Sequence, residues 1–243
     1  MNMSLVAAAL AALLLLLAGP GVRLGLWSFR TGFEFLRWGA YLGIAAAVVA
    51  LVQLAVPRWR GGRTLLLVVA VALGALAAGV PWYWRRLASR VPPIHDISTD
   101  IADPPVFVAV LPLRADAPNP AAYGGREIAA QQERAYPDIR SLMLAATAPA
   151  TAFARARDAA RESGWAIVAA DSADGRVEAT ATTGWFGFKD DVVVRIRPEG
   201  QGSRVDVRSV SRVGGSDVGT NARRIRAYLA RLRSTDDTAN ARR

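Results

Sequence analysis

The chain contains no cysteine, one histidine (His95) and one lysine (Lys189). The absence of cysteine excludes disulfides, thiolate nucleophiles and cysteine-ligated metals. With one imidazole, a Ser-His-Asp triad or a multi-histidine centre would have to be built around His95. No Walker or dinucleotide fingerprint is present, and neither a metal nor a cofactor is expected. Acidic residues are nearly missing from the N-terminal part: up to Arg90 there are nine arginines and one acid, Glu34. From Val91 onward 21 basic residues face 19 acidic ones, so the formal +10 splits into +8 and +2. The excess flanks apolar segments. Membrane topology accounts for it, and no nucleic-acid partner is expected.

What the first part has in abundance is apolar sequence. The 243 residues are 52% hydrophobic, with mean hydropathy +0.21. Three charge-free stretches, at about 3–22, 38–57 and 64–84, each approach the ~20 residues a helix needs to cross a bilayer. Trp38, Tyr41, Trp59, Trp82, Tyr83 and Trp84 mark their ends, as expected of an interfacial belt. The first stretch is expected to be retained. No basic residue precedes it, and Ala18-Gly19-Pro20 is a poor cleavage site. Between the first two lies "RLGLWSFRTGFEFLR", residues 23–37. As a helix it would gather Arg23, Arg30, Glu34 and Arg37 into one stripe and lie in the interface. Residues 1–90 are therefore expected to form a membrane region with the lipid bilayer as partner. A bare count of loop arginines favours an orientation that leaves the remainder of the chain inside.

Residues 91–105, "VPPIHDISTDIADPP", are expected to be an extended linker because two Pro-Pro pairs block regular helix. Residues 106–233 follow as an α+β domain. "VFVAVLPLR" is expected to be a short strand, with a short helix near 127–134. A helix over 149–163 ends at Gly164. "WAIVAAD", "RVEATATT", "DVVVRIR" and "RVDVRSVSRV" alternate with turn sequences. They predict an antiparallel four-strand meander flanked by two helices. Ser216 is expected to cap the last helix, with Ala222, Ile225, Leu229 and Leu232 inward and Arg223, Arg224, Arg231 and Arg233 largely towards water. Residues 234–243 are expected to be a disordered tail. Turns near Phe186-Gly187 and Gly200-Gln201 would place Arg195 between Glu178 and Asp206.

Few residues suggest chemistry. "TGWFGFKDDVVVRI" sets Trp185, Phe186 and Phe188 before Lys189, Asp190 and Asp191. The aromatics are expected to close the core at a hairpin bend, with a pocket wall as the alternative. Asp190 and Asp191, adjacent on a strand, point to opposite faces and so do not form a catalytic pair unless the loop bends. "HDISTD" offers His95, Asp96 and Asp100 in a pattern like a calcium loop. Ile101 stands where the required glycine belongs, and Phe107 where the final glutamate belongs, so a side-chain-capped turn is expected. Tyr136 and Asp138 in "YPDI" form a further polar pair, either a ligand contact or a brace for the sheet.

Taken together, "PPIHDISTD", "DPP", "YPDI", "WFGFKDDVVVRI" and "SRVDVRSVSRVGGSDVGTNARRI" resemble an uncharacterised family, domain of unknown function fourteen-ninety-nine. The resemblance carries no activity, cofactor or catalytic residue. It implies a multi-pass protein of the inner (cytoplasmic) membrane with its C-terminal domain on the periplasmic side. The role expected is binding or scaffolding in the cell envelope, with an envelope protein or a lipid as partner. Two alternatives remain: a lipid or small-ligand domain with its pocket near Trp185, and a hydrolase using the Asp-rich segments.

Overall fold

In the computed structural model, residues 2–240 are described, with side chains described as far as Ser234. Contacts divide the chain into two units, Met1–Ser89 with Gly184–Gly187, and Arg90–Thr183 with Phe188–Arg243.

The first unit contains α1 (Met3–Arg23), α2 (Phe29–Ala55), the short α3 (Pro57–Arg60) and α4 (Thr64–Ala88). Three of these, α1, α2 and α4, are long and apolar enough to cross a membrane. α2 begins earlier than the charge-free run suggests. Ser28 caps it by accepting from the Thr31 N–H, so most of the expected interfacial segment belongs to this 27-residue helix. Small residues let the helices approach. A Cβ on Gly43 would lie 2.8 Å from the Gly74 carbonyl oxygen, and one on Gly39 would lie 3.2 Å from that of Ala11. Leu10, Leu13, Ile44, Val48, Leu65 and Leu76 point outward, so the helices are apolar on their outer side as well as between one another. The Phe186 ring lies 5.3 Å from Phe33 and Trp185 packs against Gly19, so these two aromatics belong to the helical unit. They do not close the sheet domain's core.

The second unit contains β1 (Asp96–Ser98), a 3-10 turn (Pro112–Arg114), α5 (Gly125–Ala135), β2 (Leu142–Leu144) and α6 (Pro149–Glu162). It continues through β3 (Ala166–Asp171), β4 (Arg176–Thr182), β5 (Lys189–Glu199), β6 (Gly202–Ser211) and α7 (Thr220–Asn240). The meander β3-β4-β5-β6 forms as the alternation predicts, and every pairing is antiparallel. Two short strands extend the sheet to six. β1 pairs with β6 at Arg208–Val210 and β2 pairs with it at Ser203–Val205. The 91–105 segment is therefore not a free linker: it supplies β1, and Ile94 and Ile97 are fully buried. "VFVAVLPLR" is an extended stretch running into turns and the 3-10 turn, not a strand.

One sheet face carries Val177, Val192, Val194, Val205 and Val207 beneath α6 and α7. Phe153 and Ala156 of α6 and Ile225, Leu229 and Leu232 of α7 complete this core. Burying each large side chain contributes about 1.5–3 kcal/mol. Trp165 stacks on Tyr228 at 4.7 Å, and the Tyr228 hydroxyl donates to the Ala156 carbonyl at 2.8 Å. Asp217, not Ser216, caps α7, accepting from Gly219 N at 2.8 Å and Asn221 N at 2.7 Å. α7 continues through Asn240 into the tail expected to be disordered, and residues 241–243 lie outside those described.

Candidate functional site

The second sheet face is polar, and residues 99–124 cover it. Register explains its composition. Arg176, Glu178, Thr180, Asp191, Arg195, Asp206 and Arg208 all project to this side of β4, β5 and β6. Arginines and carboxylates cross-link there into three groups.

At the end bearing the Gly200 turn, Arg195, Arg197 and Arg204 surround Asp100 and Asp206. Arg195 lies opposite Asp206, 2.9 Å away, as expected. Its other neighbour is Arg176, because the β4-β5 hairpin is centred between Trp185 and Phe186, one residue early, and Glu178 pairs with Val193 instead. Asp100 also accepts from Ala102 N and Asp103 N, which makes "HDISTD" the capped turn the sequence suggests.

In the middle, the fully buried Glu178 accepts from the N–H groups of Val108, Ala109 and Val110 at 3.0–3.1 Å. Beside it the Arg208 guanidinium pairs with both oxygens of Asp96 (2.9 and 2.7 Å) and donates to the carbonyls of Pro105 and Ala121. The rings of Phe107 and Tyr123 lie 5.1 and 5.3 Å from it. At the third position Asp191 accepts from Arg212 (2.7 and 2.9 Å) and Thr180 (2.8 Å), with Arg114 3.3 Å away. Burial lowers the Arg114 pKa, only partly offset by Asp191.

Burial works against the Asp206 carboxylate, but hydrogen bonds from Ser141, Arg195 and Arg204 outweigh it and hold its pKa below the ordinary value. Such a group stabilises the fold above its unfolded pKa, about 3.9, and that contribution is lost as pH falls through the lower folded value. Asp206→Asn is expected to weaken the domain at neutral pH and to flatten its loss of stability below about pH 4. The urea midpoint measured against pH tests this. Parallel curves for the two proteins would contradict it.

The candidates read from sequence do not converge. Asp190 faces the helical side and pairs with Arg224 at 2.5 Å, while Asp191 faces the cover, so the two carboxylates part as strand geometry requires. Asp138 pairs with Arg226 on the surface, and that hydrogen bond lowers its pKa. Tyr136 is buried in the main core, which makes "YPDI" a brace. His95 contributes its carbonyl, which accepts from Ser211 N and Asn221 Nδ2. Lys189 is exposed, and Phe188 N donates to Thr183 Oγ1 at the hairpin base.

The domain does have a cleft, at Trp165. It measures about 310 Å³ and lies where the end of α6, the end of β4 and one side of α7 meet. Trp165 and Tyr228 line it together with Thr182, Arg224 and Arg231. Arg224 and Arg231 pair with Asp190 and Glu162 respectively. Arg224, expected largely towards water, is instead mostly enclosed at the cleft. The overlooked signal is spacing: Arg224, Tyr228 and Arg231, four and three residues apart, form one helix stripe that borders the core through Tyr228.

Comparison with known proteins adds a family but no activity. A family model described as "Protein of unknown function (DUF1499)" matches residues 96–232. No curated protein matches the chain.

Proposed function

The chain belongs to the DUF1499 family of proteins of unknown function, and from that premise we propose a multi-pass inner-membrane protein whose periplasmic domain works by binding or scaffolding in the cell envelope. The observation that carries this reading is how the acidic candidates are used. Asp96, Asp100, Asp190 and Asp191 are each held by arginine within 3.3 Å or less, in separate places. A carboxylate clamped by guanidinium is a poor general base, and no two of these four share a site where they could act as an acid–base pair. The membrane part of the reading draws on the three apolar helices and their aromatic ends.

The cleft favours a second reading, binding of a ligand with a flat apolar body and an anionic group. Its stacked aromatic floor and arginine rim are the supporting observation, and it replaces the pocket expected near Trp185. Both readings are tested in cells, the first with two reporter fusions and the second with a photo-crosslinking residue. A C-terminal alkaline phosphatase fusion is expected to be active and a C-terminal green fluorescent protein fusion dark. The reverse result would place the domain in the cytoplasm. A photo-crosslinking residue at Thr182, which lines the cleft, is expected to capture a lipid, a small molecule or an envelope protein. No adduct above that of the same residue at the exposed Gln201 turn would end the cleft reading.

A further inference from the structure

The cover over the polar sheet face has an outer surface of its own. Among the described residues of the sheet domain, the exposed large apolar side chains are Val106, Val108, Leu111, Leu113 and Met143. Four of the five fall within eight consecutive residues. Their neighbours Phe107, Val110 and Arg114 point inward and are buried. A concentration of apolar side chains on an otherwise polar domain marks a contact surface.

The backbone of this strip has an unusual property for a surface loop. From Val108 to Arg114 every N–H is bonded within the protein. Val108, Ala109 and Val110 donate to Glu178, while Leu111, Leu113 and Arg114 donate to carbonyls of the turn itself. Pro112 has no N–H. The Leu113 carbonyl accepts from Arg212 at 2.6 Å. A loop facing water has no need of such provision, whereas a segment entering an apolar medium must satisfy its amides internally. No acidic residue lies between Asp103 and Asp116, so nothing in the strip repels an anionic surface.

Connectivity supplies the partner. Leu113 and Arg114 are fastened to Arg212 and Asp191, at the end of the sheet where Ser211 N bonds the His95 carbonyl. The chain arrives there from α4. The residues between Ala88 and Asp96, numbers 89–95, span at most roughly 25 Å when extended. Arg85 and Arg86 precede this passage and Arg90 lies within it. We propose that residues 106–113 form a second membrane contact, in which Val106, Val108, Leu111 and Leu113 enter the interfacial layer of the bilayer that α4 spans. The proposal rests on the three apolar helices being membrane spans.

The chain has no cysteine, so single spin labels are unambiguous. The full-length protein is reconstituted in vesicles of phosphatidylethanolamine and phosphatidylglycerol with a label at Val106→Cys, Val108→Cys, Leu111→Cys or Leu113→Cys. Leu66→Cys on the outer side of α4 and Gln201→Cys at the opposite end of the sheet are the references. Collision with oxygen reports lipid, and collision with a nickel chelate reports water. The Leu111 and Leu113 labels are expected to show an oxygen-to-nickel ratio several-fold above Gln201 and towards that of Leu66. A lipid-exposed Leu66 label with strip labels matching Gln201 would overturn the inference and leave the anchoring intact. Strip labels shielded from both reagents would overturn it in favour of a protein partner or second copy. A Leu66 label open to water would sink the membrane anchoring and the inference together.

Discussion

Arg208→Ala is expected to destabilise the sheet domain by about 3–5 kcal/mol, the range for breaking a buried ion pair from one side. Arg208 is among the largest fully enclosed side chains of the protein. Its removal leaves Asp96 charged and buried, takes donors from the carbonyls of Pro105 and Ala121, and empties the space between Phe107 and Tyr123. Against a typical total stability of about 5–15 kcal/mol, that loss is decisive. Pulse proteolysis in urea on the detergent-solubilised chain reads it. With a slope of about 1–3 kcal/mol per molar, the midpoint should fall by roughly 2 M. The partner substitution supplies the control. Asp96→Ala should cost a similar amount, and the double variant Asp96→Ala with Arg208→Ala far less than the two together, because no stranded charge remains. Additive losses would show that the pair is not coupled.

The lattice to which Arg208 belongs was the least legible part of the chain, and the reason is distance along the sequence. Periodicity announces a helix or strand because its signal repeats within a few residues. The three long helices, the meander, and α6 with its terminal Gly164 could be read on that basis, as could the inward side of α7. Arg208 and Asp96 stand 112 residues apart, and Glu178 reaches back 70 residues to Val108. Nothing local marks such a partner. The alternation of β4, β5 and β6 did show a polar face, but a polar face ordinarily means water. Here it means a cover, held mainly by side-chain bonds to backbone. The two Pro-Pro pairs keep 91–105 extended, as expected, but nothing local shows that an extended linker will serve as an edge strand and the start of the cover. The aromatics of 185–188 misled for a related reason. Density of aromatic residues signals burial, but not in which unit, and the core ring pair turned out to be Trp165 and Tyr228.

Glu178→Ala is expected to release the cover selectively, and its effect should be visible residue by residue. Both carboxylate oxygens are occupied by the N–H groups of three consecutive residues, and Arg176 lies 3.1 Å away. Alanine removes every acceptor at once. Each amide left buried without a partner costs about 1–3 kcal/mol. The segment lowers that bill by lifting towards water, so a net loss of about 3 kcal/mol is expected, less than three full penalties. Lifting exposes Phe107 and Val110, which pack with Val193 and Val210. Hydrogen exchange followed by mass spectrometry separates this from general unfolding. Peptides covering 106–114 should lose protection by orders of magnitude, while those from the Val192–Val207 core and from α1, α2 and α4 keep theirs. Glu178→Gln sharpens the argument. It retains one acceptor oxygen but turns an amide donor towards N–H groups that are themselves donors, so it should recover only part of the protection. If Glu178→Gln exchanges like the unaltered protein, the carboxylate is not what holds the cover. If the core peptides exchange as fast as 106–114, the cover and the sheet open as one unit rather than in sequence.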